Sequence, residues 1–69
     1  MDLTIINRDT GHTTLYRPNE LRTMARASVK GKGRLESYWI NIDEKTGRVS
    51  LVAQYRRPDG WGFNENTAL

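Results

Sequence analysis

The sequence predicts a small α+β domain of ββαββ order, with one helix packed on a mainly antiparallel sheet made of two hairpins. Three features predict it: two short alternating stretches around a turn near the start, a helix-forming stretch at residues 17–30, and two longer alternating stretches meeting at Asp43-Glu44-Lys45-Thr46-Gly47-Arg48. The expected domain covers residues 1–63, and residues 64–69, Asn64-Glu65-Asn66-Thr67-Ala68-Leu69, read as a polar C-terminal tail.

The first hairpin is expected from Leu3-Thr4-Ile5-Ile6 and Thr13-Thr14-Leu15-Tyr16 around a turn at Arg8-Asp9-Thr10-Gly11. A three-residue loop would group Leu3, Ile5 and Leu15 on one face, and a four-residue loop Leu3, Ile5 and Tyr16; the three-residue loop is the preferred reading. In the helical stretch Pro18 suits a first turn and Glu20 suits the positive end of the helix dipole. Leu21, Met24, Ala25 and Ser28 then follow the spacing of a buried stripe, Arg22, Arg26 and Lys30 stand four apart beside it, and Gly31 ends the helix.

In the second hairpin Gly47 stands where the loop needs a positive φ. A loop over Glu44 to Gly47 pairs Ile42 with Val49, Ile40 with Leu51 and Tyr38 with Ala53, which makes these six the expected core face against Leu21, Met24 and Ala25. Ser37, Trp39, Asn41, Ser50, Val52, Gln54 and Arg56 fall on the opposite, wet face. After Arg57-Pro58-Asp59-Gly60, Trp61 or Phe63 is available to fold back as a plug, and covering Trp39 is one place for it.

Composition narrows the function classes. With 69 residues, 36% hydrophobic and 28% charged, and a mean hydropathy of −0.74, the chain has material for one small core. A domain of this length buries only about 60% of the surface its unfolded chain exposes. It has no Cys, hence no disulfide and no thiolate metal site, so a homodimer through an open strand edge or docking on a partner is compatible with its size. No apolar run approaches the roughly 18 residues of a membrane span, and Met1-Asp2-Leu3-Thr4 carries neither a basic nor an apolar leader segment. The expectation is a cytoplasmic protein without a membrane partner.

Catalytic chemistry finds little support. His12 is the one imidazole, placed beside the first turn, and nothing local sets a carboxylate against a hydroxyl nucleophile. Asp43 and Glu44 are explained by turn hydrogen bonds and solvation, and no ligand cluster suggests a metal. Gly31-Lys32-Gly33 resembles a phosphate loop only superficially. A dinucleotide fingerprint needs Gly where Glu36 stands, a Walker loop needs Ser or Thr where Gly33 stands, and the glycines follow the helix at its negative end. The reading is a non-enzyme without cofactor or metal, whose Gly-Lys-Gly segment is a flexible cap bearing charge.

Charge is the most informative feature. Residues 17–34 hold six cations, Arg17, Arg22, Arg26, Lys30, Lys32 and Arg34, against Glu20, a formal +5 in a chain whose total is +3. Such a concentration suits a surface that meets phosphates, although basic residues at a helix end also stabilise its dipole and keep it soluble. The leading expectation is therefore a small nucleic-acid-binding module, DNA or RNA, with Arg22, Arg26, Lys30, Lys32 and Arg34 on the phosphate backbone, Trp39 and Arg56 beside them, and Trp39 or Tyr16 available for stacking. The alternative is an inhibitor or adaptor that docks by the same residues on an acidic or nucleic-acid-handling protein surface.

Overall fold

The computed structural model describes residues 2–7 and 9–69; Met1, the first residue of the expected domain, and Arg8, the first of the expected turn, lie outside them. Strands β1 (Leu3–Ile6) and β2 (Thr13–Tyr16) pair antiparallel, helix α1 (Pro18–Ser28) follows, and β3 (Arg34–Ile42), β4 (Val49–Arg56) and β5 (Gly62–Ala68) form a second antiparallel sheet in the order β3-β4-β5. The class is α+β, as expected. The order is ββαβββ, and the two hairpins belong to separate sheets.

One hydrogen-bond device builds both hairpin turns. Asn7 Oδ1 accepts from the backbone N–H groups of Asp9 (2.9 Å) and Thr10 (3.2 Å), and Asp43 Oδ1 accepts from those of Lys45 (2.9 Å) and Thr46 (3.3 Å). The N–H of His12 then reaches Thr10 Oγ1 and that of Arg48 reaches Thr46 Oγ1, each at 3.2 Å, while Gly11 and Gly47 turn the chain at φ +72° and +71°. Side-chain carbonyl or carboxylate oxygen, hydroxyl and left-handed glycine together replace backbone partners that a tight loop cannot supply.

That shared turn corrects the first hairpin's register. Leu3 pairs with Tyr16 and Ile5 with Thr14, the grouping of a four-residue loop, so Leu3, Ile5 and Tyr16 are half-buried while Leu15 is exposed. The second hairpin has the expected pairs, Ile42 with Val49, Ile40 with Leu51 and Tyr38 with Ala53. A register shift between Leu35 and Ser37 leaves Glu36 as a bulge. Plain alternation puts Leu35 on the wet face; the extra residue returns it to the helix side, opposite Tyr55.

The core lies between α1 and β4. Ala25, Val29, Leu51, Ala53 and Tyr55 are buried together, with Met24, Leu35, Ile40, Phe63 and Leu69 packed around them. Leu21 is also buried, and Met24 and Ser28 are half-buried, as the helical stripe predicts; Val29, four residues after Ala25, continues the stripe just past the helix end. The expected core face is corrected at its rim. Tyr38 is exposed and Ile42 is 63% exposed, because β3 is an edge strand and a helix of 11 residues covers mainly the central one. Val52, expected on the wet face, is buried at 7% exposure between its register neighbours Trp39 and Asn66.

Residues 64–69 are not a loose tail. Asn64 to Ala68 complete β5, and the backbone N–H of Leu69 donates to the Val49 carbonyl at 3.0 Å. The inward side chains of β5 are Phe63, Glu65 and Thr67, too polar a set to announce a strand by alternation. Phe63 stacks on Tyr55, ring centroids 5.6 Å apart, and Glu65 Oε1 accepts from the Tyr55 hydroxyl at 3.4 Å. The plug is therefore Phe63 on the helix face, while Trp61 is 70% exposed.

Candidate nucleic-acid interface

Arg22 and Arg26 of helix α1, and Lys30 in the turn just after it, lie along the side that borders edge strand β3. Arg22 and Arg26 line an open groove with Leu35, Glu36 and Tyr38. Arg26 and Lys30 line the next with Gly33, Arg34 and Leu35. A third runs from Arg34 and Leu35 to Arg56 and Arg57. Leu35 lines all three; the first two follow the α1–β3 seam, and the third lies beside it between β3 and the loop after β4.

The expected cations differ in how they are held. Among the described residues, the two ion pairs are Lys32 Nζ to Glu65 Oε1 at 3.0 Å and Arg56 Nε to Glu36 Oε1 at 2.7 Å. No described carboxylate comes within that reach of Arg22, Arg26, Lys30 or Arg34, and all four are exposed. A partner anion need not displace a directly paired carboxylate to reach them, although Glu36 shares the Arg22–Arg26 groove. Lys32, by contrast, ties the loop after α1 to β5, and Arg56 is offset by the bulge residue.

The Gly-Lys-Gly segment is also more constrained than a flexible cap. Gly31 turns the helix end at φ +78° into open space. A Cβ on Gly33 would come within 2.6 Å of the Arg56 carbonyl oxygen and 2.7 Å of Tyr55 Cδ2, so only glycine lets β3 start this close to β4.

Trp39 is on the opposite face of the sheet from α1. Register places it in a row with Val52 and Asn66, flanked by the rows Ser37-Gln54-Asn64 and Asn41-Ser50-Ala68. Ser37 Oγ donates to Gln54 Oε1 at 3.2 Å. Beyond these rows the face ends at Arg34 paired with Arg56. The seven expected residues thus divide between two surfaces, Arg22, Arg26 and Lys30 on the seam and Trp39 and Arg56 on the outer face, with Arg34 at the junction and Lys32 in the loop behind.

Compared with protein families, with curated proteins and with solved structures, the chain matches none. Its own geometry is therefore the basis for a functional reading.

Other chemistry is sparse. His12 is exposed at the end of the first turn, and its backbone rather than its ring makes the turn contact. Among the described residues, no group of three His, Asp or Glu side chains stands close enough to hold a metal, and no helix is long and apolar enough to cross a membrane. Two features escaped the reading of the sequence. Arg57 lies with its guanidinium carbon 4.4 Å from the Phe63 ring centroid, and the outer face gains Asn64 and Asn66. No side-chain alternation in residues 63–68 signalled the second, because both faces of β5 are largely polar.

Proposed function

We propose that the protein is a cytoplasmic, non-enzymatic nucleic-acid-binding module that holds the phosphate backbone in the α1–β3 seam. The observation that carries this reading is the row of Arg22, Arg26, Lys30 and Arg34 along two adjoining grooves that share Arg26 and Leu35, none of the four in an ion pair among the described residues. Four cations outside any ion pair along adjoining grooves suit a linear polyanion, whose affinity comes from releasing condensed counterions. The non-enzymatic part rests on the isolation of His12 and on the solvated turn positions of Asp43 and Glu44.

A titration of random-sequence duplex at two salt concentrations tests it. Replacing Arg22, Arg26 and Lys30 together by Gln should weaken binding evenly across unrelated sequences and lower the log K against log salt slope by roughly 0.9 for each lost contact. Wild-type protein that binds neither duplex nor single strand at low salt, where charge is least screened, rules the reading out.

A second reading has its own observation. The outer edge of β3 is unpaired and borders the basic seam, which suits an extended acidic segment of a partner protein added as a further strand. In that case the triple substitution acts on one protein partner alone and chiefly slows association.

A further inference from the structure

We infer that the outer face of the β3-β4-β5 sheet is a base-stacking platform, which makes the protein favour single strands over duplex; this rests on the nucleic-acid reading above. The face is open: Ser37, Trp39, Asn41, Asn64 and Asn66 are exposed, and Trp39 keeps 42% of its surface with solvent. Neither C-terminal aromatic covers it, since Phe63 faces the helix and Trp61 projects into solvent.

The composition of this face selects its occupant. The three central rows carry hydroxyl and amide groups and one indole, with no ionised side chain. A flat base can lie on Trp39 without desolvating a charge, while the amides of Asn41, Asn66 and Gln54 offer both donors and acceptors to base edges. A second copy of the chain is a poor occupant. Sheet-on-sheet packing needs an apolar inner face, and Trp39 and the already buried Val52 are its only large apolar side chains.

Charge separates a nucleic acid from a neutral sugar, which also favours indole and amides. Arg34 ends the outer face and lines two of the grooves, so a strand whose base rests on Trp39 continues over the β3 edge onto cations outside any ion pair. A duplex cannot use the platform, because its bases are already stacked on one another. A single strand splays its bases and presents them to an aromatic ring.

The experiment compares fluorescently labelled oligonucleotides of about eight nucleotides, single-stranded and duplex, in anisotropy titrations with wild type, Trp39→Ala, Trp39→Phe and Trp61→Ala. Trp39→Ala should weaken the single strand about tenfold and leave the duplex within about twofold, Trp39→Phe should retain most of the affinity, and Trp61→Ala should change neither. Circular dichroism of the Trp39 variants checks the fold; if the alanine variant unfolds, the comparison rests on Trp39 fluorescence in Trp61→Ala, which the single strand should quench and the duplex should leave unchanged. Equal losses for single strand and duplex, or none, overturn the platform while leaving the seam reading intact. Binding of neither nucleic acid by the wild type overturns both, and binding of a neutral oligosaccharide in their place gives the face to a different ligand.

Discussion

Gly33 lies against the ring of Tyr55 so closely that a Cβ would stand 2.7 Å from Cδ2. Tyr55 is itself held, stacked on Phe63 and donating its hydroxyl to Glu65, so the ring has nowhere to move. Gly33→Ala should therefore destabilise the protein by about 1–3 kcal/mol, the range for overpacking. Gly31 supplies the contrast. It needs a positive φ but faces open space, so Gly31→Asn should be tolerated and Gly33→Asn should not, as read from urea midpoints.

The core and its rim should respond very differently to truncation. Leu51, at 1% exposure between α1 and the sheet, should cost about 2–5 kcal/mol as Ala, while Ile42 on the uncovered rim should cost well under half of that. Both residues are aliphatic and lie on the same sheet face. Thermal or denaturant unfolding of the two variants measures the difference that the helix footprint makes.

Removal of residues 64–69 should abolish cooperative folding. The truncation strips the outer side of β4 from Ser50 to Gln54 of its partner and takes Leu69 from the core rim. It also removes Glu65, which receives both Tyr55 and Lys32. Glu65→Gln alone should be mild, about 1 kcal/mol or less, since the amide oxygen still accepts from Tyr55 and the lost ion pair is solvent-exposed. Far-ultraviolet circular dichroism on heating distinguishes a lost transition from a shifted one.

The two turns should be equally sensitive to loss of their oxygen acceptor and indifferent to its charge. Asn7→Asp and Asp43→Asn preserve the accepting oxygen, and Asn7→Ala and Asp43→Ala remove it, leaving two N–H groups to water in each turn. The alanine variants should lose about 0.5–1.5 kcal/mol of local stability, the usual net worth of such hydrogen bonds. In β1–β2, a two-stranded sheet by itself, that loss should appear as faster amide exchange, whereas β4 should stay protected between two neighbours.

How much was legible in the sequence depended on whether a signal was local. The helix, its Gly31 end, its Leu21-Met24-Ala25-Ser28 stripe and the register from Ile42 and Val49 onward were set by residues within a few positions of one another: Pro18, Glu20, the 3.6-residue spacing and the Thr46-Gly47 turn. The first hairpin carried the same Thr-Gly pair, and its register was readable once Asn7 was seen to play the part of Asp43. The clustering of cations on one helix side and the placement of Trp39 away from it were equally visible, because spacing along a helix or strand dictates them.

Tertiary structure decided the rest, since it turned on which surface met which. Strand β5 forms because β4 offers a free row of backbone donors and acceptors, which no side-chain pattern in Asn64 to Ala68 announces. The Glu36 bulge returns Leu35 to the core opposite Tyr55, and Gly33 passes against the same ring, a contact spanning 22 residues. Lys32 and Arg56 looked like Arg22 and Arg26 in the sequence, and only the fold set Glu65 and Glu36 beside them. Charge is a property of a residue; whether it is spent on a neighbour or left for a partner is a property of the packed chain.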